Sequence, residues 1–73
     1  MKPAKLIKMA NQIGAFFEAM PNREQAVKDI AAHIQRNWEP RMRTALLRHI
    51  GTNGDAELSP MVREALLLVQ KGN

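Results

Sequence analysis

A small all-α bundle of about four helices is the fold this sequence predicts, and three observations predict it. Apolar residues recur at three- and four-residue steps in four separate segments. Prolines at positions 21, 40 and 60 fall between those segments, where a helix can stop or restart. No stretch alternates apolar and polar residues as a strand would, and no repeat or low-complexity tract interrupts the pattern. At 73 residues the chain reads as one helical domain, 1–73.

The first segment runs from about Ala4 to Met20. Leu6, Met9, Ile13, Phe16, Phe17 and Met20 share one face and are the expected core side of this helix. Ile7, Asn11, Gly14 and Glu18 fall on the opposite side. Gly14 costs its helix about 1 kcal/mol relative to alanine. With Ala10 it either forms a small-residue face for a close backbone approach or lies idle in solvent. Pro21 ends the segment.

Asn22 caps the second helix, and Gln25 three residues later completes a capping-box-like signature. Val27, Ile30, Ile34 and Trp38 form its apolar stripe. Pro40 forces Glu39 out of the α region, so the chain breaks there and restarts with proline in the first turn. Met42, Ala45, Leu46, His49 and Ile50 line one side of the third helix, and Gly51 is the expected left-handed stop. A polar turn follows. Ser59 and Pro60 open the fourth helix as N-cap and first-turn residue, and Gly72 is expected to close it.

Composition narrows the class of function. Hydrophobic residues make up 45% and charged residues 25%, which are globular values and exclude full disorder. There is no cysteine, so disulfides, iron–sulfur clusters and thiolate zinc sites are all excluded. The longest apolar run, Ala65 to Val69, is far short of the ~20 residues that cross a bilayer. Lys2, Lys5 and Lys8 interrupt the N-terminus too often for a signal-peptide core, and a cytoplasmic location is expected. A net charge of +4 permits nucleic acid or an acidic protein surface as partner and selects neither.

Catalytic signals are missing. His33 and His49 lie on different helices without acidic or thiol neighbours at ligand spacing. Asp29 and His33, four apart, read as a surface helix pair. No nucleophile has a base beside it, no glycine loop could cradle a phosphate, and Asn53-Gly54-Asp55 lacks the ligand series of a calcium loop. No catalytic, metal-binding or cofactor-binding residue is therefore assigned.

Surplus apolar surface points instead to binding. Val62, Ala65, Leu66 and Val69 make one stripe of the fourth helix. Met61 and Leu68 sit about 100° from it, and Leu67 roughly opposite. A helix apolar nearly all round is normally buried all round, which a bundle this small cannot do for a terminal helix. Arg36, Arg41, Arg43 and Arg48 surround the Trp38-Glu39-Pro40 corner, a composition typical of interface hot spots. The candidate partner-binding residues are Trp38, Arg41, Arg43, Arg48, Leu67 and Leu68, acting at the contact or in the fold beneath it.

The order of the motifs adds a family. Met9-Ala10-Asn11-Gln12-Ile13, Phe16-Phe17, Trp38-Glu39-Pro40-Arg41-Met42-Arg43 and Leu58-Ser59-Pro60-Met61-Val62-Arg63-Glu64-Ala65 resemble the delta subunit of NAD-dependent, molybdenum-containing formate dehydrogenase. The likeness covers about Leu6 to Leu67, and the tryptophan–acid–Pro-Arg-Met-Arg block is its most specific part. Asn37 and Glu39 stand where the family pattern carries an aromatic residue and an aspartate.

The resemblance implies a chain with no cofactor of its own. Its partners would be the large subunits that hold the molybdenum pterin, iron–sulfur clusters and flavin, and its role would be to support their assembly or stability. It would not be an enzyme by itself. Two other readings of the residues stay open here: a basic helical nucleic-acid-binding module, and a homo-oligomer that buries its last helix against a second copy.

Overall fold

Proline stands at the first position of three of the four helices, where its missing N–H costs no hydrogen bond. The computed structural model describes residues 2–71, with side chains for residues 2–69. It contains α1 (Pro3–Phe17), α2 (Arg23–Asn37), α3 (Pro40–Asn53) and α4 (Pro60–Lys71). Among the described residues there is no strand. None of the helices is long and apolar enough to cross a membrane. The expected stop at Gly72 lies outside the described residues.

α2 forms as its sequence predicts. The Asn22 side chain accepts a hydrogen bond from the Gln25 backbone N–H at 2.9 Å. Gln25 turns its amide forward to Asp29, at 2.9 Å, rather than back to the cap. Glu24 in the first turn and Arg36 in the last both complement the helix dipole. Val27, Ile30, Ile34 and Trp38 are all buried. Trp38 and Glu39 are extended, as a residue before proline must be, and α3 restarts at Pro40.

α1 corrects the sequence reading. Its buried residues are Leu6, Ile7, Ala10 and Gly14. Met9, Ile13, Phe17 and Met20 are only partly buried against the core, and Phe16 is 76% exposed. The inward face is rotated by roughly a quarter turn from the stripe of bulky residues. The cause is the crossing with α4. A Cβ placed on Gly14 would lie 2.6 Å from Val62 Cγ2 and 3.3 Å from Ser59 Oγ. Only small residues fit where two helices approach so closely, so the large side chains are displaced to the rim.

Asn11, expected on the outer side, fastens the same crossing. Its Nδ2 donates to the Glu57 carbonyl at 2.9 Å, and its Oδ1 accepts from the Ser59 N–H at 3.0 Å. Both backbone groups belong to the turn that leads into α4, so one side chain sets where that helix begins. α4 then lays Met61, Val62, Ala65, Leu66 and Val69 into the core, mostly against α2.

The end of α3 is a second correction. The helix runs through Gly51 to Asn53, and Gly54 takes the left-handed backbone at φ 85°. The Gly54 N–H bonds to the Ile50 carbonyl at 2.8 Å. The Asn53 amide lies 3.1 Å from His49 Nδ1, which holds the last turn in place. That turn outweighs the modest cost of a glycine inside the helix.

Two stability measurements follow from the α1–α4 crossing. Gly14→Leu is expected to destabilise the chain by about 1–3 kcal/mol, seen as a lower urea midpoint with an unchanged slope. An unshifted midpoint would mean the crossing is looser than the Gly14–Val62 approach requires. Asn11→Ala removes both hydrogen bonds to the α4 turn and is expected to cost about 1–2 kcal/mol. Asn11→Asp should recover only the half that accepts from Ser59, and equal stability of all three chains would refute this role for Asn11.

Candidate partner interface

α4 rests one face on α2 and one side on α1, and among the described residues no element covers its remaining side. Leu67 and Leu68 fall there, 59% and 41% exposed. They line an open groove of about 610 Å³ between α2 and α4, with Val27 also on its wall. The groove rim is charged but self-paired. Arg23 bridges to Glu64, and Lys28 lies 3.8 Å from Glu24 one helical turn away. The hydrogen bond from Arg23 holds the Glu64 carboxyl below its ordinary pKa, opposed by desolvation and aided by the nearby positive charge.

The two leucines also border smaller apolar depressions. Leu68 and Val69 line one with Ala31, Ala32 and Gln35 of α2, and Leu67 lines another with Leu47, Ile50, Leu58 and Leu66, edged by Asp55 and Arg63. The pair therefore sits astride the seams between α4 and its neighbours, an apolar patch with a polar rim.

The arginine and tryptophan corner divides in two. Trp38 is 5% exposed and belongs to the core. Arg43 is half-buried and reaches back to the end of α2: its Nη1 donates to the Trp38 carbonyl at 2.8 Å and to the Gln35 carbonyl at 3.2 Å. These are carbonyls that the end of a helix leaves without partners inside the helix. Its Nε is buried without an acceptor. Arg41 and Arg48 are exposed on α3, and among the described residues neither is in an ion pair. The structure thus brings Leu67 and Leu68 together in one groove, and that groove's lining includes none of Arg41, Arg43 or Arg48.

Other polar residues have local roles. Asp29 accepts from Gln25, and the His33 ring packs at 6.3 Å against Phe17. Among the described residues no three His, Cys, Asp or Glu side chains gather as metal ligands.

A second apolar surface escaped the sequence reading because Phe16 was expected inside. Phe16 stands edge-to-face on Phe17 at 5.1 Å, and the pair lines an open groove of about 350 Å³ with Gln12, Ile13 and His33. The signal that could have found it was the Ala10–Gly14 pair, which marks the close-packed side of α1 and leaves Phe16 on the other.

Comparison with known proteins adds the family. No curated protein and no solved structure matches the chain. A family model does, over residues 5–66, and its description is NADH-dependent formate dehydrogenase delta subunit FdsD. That span takes in α1 from Lys5 onward, α2, α3, the Trp38–Arg43 corner, the Asn11-fastened turn and the first half of α4. A match so extensive makes the chain a member of the NADH-dependent formate dehydrogenase delta subunit family, FdsD.

Proposed function

We propose that the chain is a non-catalytic accessory subunit of a cytoplasmic NAD-dependent formate dehydrogenase. It docks on the large subunits that carry the cofactors and supports their assembly or stability, holding no cofactor itself. The observation that carries this reading, beside family membership, is the exposed Leu67–Leu68 pair on a helix whose other face is fully packed. Two adjacent leucines in water are a standing driving force for association.

In this reading Leu67 and Leu68 make the apolar contact, and Arg41 and Arg48 supply charge at its periphery or on a neighbouring surface. Trp38 and Arg43 act from beneath, by fixing the angle at which α3 leaves α2. The self-paired rim of the α2–α4 groove suits a docking partner that is mainly apolar at this spot, since Arg23 and Lys28 already have carboxylates beside them.

Burying an exposed leucine contributes roughly 1.5–3 kcal/mol, so losing two of them is expected to weaken association by about tenfold or more. The test is co-production of the large subunits with the parent chain, with a Leu67→Asp/Leu68→Asp double variant, and with no chain. The double variant should keep the helical circular dichroism of the parent, because both side chains are exposed, yet fail to co-purify. Molybdenum and iron content and formate-dependent NAD⁺ reduction should fall in parallel. Full cofactor loading and activity in the absence of the chain would end the accessory reading.

A further inference from the structure

The Phe16 surface and the Leu67–Leu68 groove lie on different sides of α2. The α2 residues lining the leucine groove are Arg23, Glu24, Val27 and Lys28, whereas the Phe16 groove takes His33. At 100° per residue, His33 points roughly 150° away from the mean direction of those four. The two grooves share no residue. One docked partner surface of ordinary flatness would cover only one of them.

The chemistry of the Phe16 side is also different. Phe16 is the most exposed large apolar residue among those described, and its groove is apolar except for Gln12 and His33. Lys5 lies three turns earlier on nearly the same line of α1, about 20° from Phe16, and Lys8 flanks it at about 80°. Both lysines are exposed, and α1 contains no acidic residue. Among the described residues the ion pairs are Arg23–Glu64 and Lys28–Glu24, so neither Lys5 nor Lys8 has one. This face is apolar at one end and unneutralised positive at the other, in contrast to the self-paired rim of the leucine groove.

We propose that this face of α1 is a second docking surface. Its occupant is an acidic segment of a protein partner, with carboxylates opposite Lys5 and Lys8 and an apolar side chain seated against Phe16 and Phe17. The proposal rests on the accessory-subunit reading and extends it: the chain bridges two protein surfaces instead of hanging from one. A second copy paired symmetrically through this face is a poor occupant, because its own α1 would bring lysines and no carboxylate. Nucleic acid would satisfy the lysines, but one exposed aromatic, with Phe17 partly buried beside it and about two to three helical turns between it and the lysines, makes a poor stacking track.

Photo-cross-linking in the co-produced assembly tests this. The full chain carries p-benzoylphenylalanine in place of Phe16 in one preparation and in place of Leu67 in another. After irradiation, the position-16 chain is expected on a peptide of a formate dehydrogenase subunit rich in Asp and Glu. Lys5→Glu/Lys8→Glu in that chain should lower its cross-link yield at least fivefold at low salt, with the difference shrinking as salt is raised. All four side chains are exposed, and unchanged circular dichroism confirms that each chain folds.

A cross-link from position 67 with none from position 16 would overturn the second surface and leave the accessory reading standing. A position-16 cross-link to a second copy, to nucleic acid or to a peptide without carboxylates would overturn the stated occupant. So would a yield indifferent to the lysine reversals. Cross-links from neither position, with no co-purification, would overturn both readings together.

Discussion

The approach of α4 to α1 at Gly14 is the constraint on which the rest of the arrangement depends. Val62 occupies the space that a side chain at position 14 would need, and Asn11 holds the turn just before α4 by both of its amide atoms. These contacts fix where α4 starts and which way it is rotated. From that rotation Val62, Ala65, Leu66 and Val69 must point inward, and Leu67 and Leu68 must point out. Turning the helix by one residue to bury Leu67 would pull Val62 from its seat and expose Leu66 or Val69. The exposed leucines are therefore a consequence of a specified packing.

Size makes the consequence unavoidable. The chain exposes 4875 Å², close to the roughly 4,500 Å² that scaling gives for a folded monomer of this mass. Among the described residues every buried side chain is apolar, so the small interior spends no volume on polar networks. Four short helices around one such interior can each offer it a single stripe. Where a helix carries more apolar residues than one stripe holds, as α1 and α4 do, the excess must face outward.

Much of the fold was legible in the sequence because its punctuation is strong. Asn22, Pro40 and Pro60 mark helix starts by local chemistry alone, and the β-branched stripe of α2 admits only one inward face. The surplus leucines of α4 were legible for the same reason: five apolar residues in a row, Ala65 to Val69, cannot all turn inward. The face of α1 was not legible, because choosing the bulkiest residues assumes that burial follows size. At a close crossing the rule inverts, and Ala10 and Gly14 are inside while Phe16 is out. The end of α3 misled for a different reason. Gly51 and Gly54 are equal as left-handed residues by sequence, and the helix continues through the first to the second, with Asn53 reaching back to His49 in the added turn.

The tryptophan–acid–Pro-Arg-Met-Arg block, the most specific part of the likeness to the delta subunits, is nearly consumed by the fold. Trp38 and Met42 are buried, Pro40 restarts the chain, and Arg43 ties off carbonyls at the end of α2. Of the six residues, Glu39, Pro40 and Arg41 face solvent, and Pro40 has a structural task of its own. A motif used this way identifies the angle between two helices more than it identifies a contact. Within it Arg41 stays exposed, but the large exposed apolar residues lie on either side of it in the chain: Phe16 of α1, beside the exposed lysines, before it, and the leucines of α4 after it. A sequence motif can thus reveal a family through its architecture while the surfaces proposed here for docking sit in the less distinctive helices that the motif holds in place.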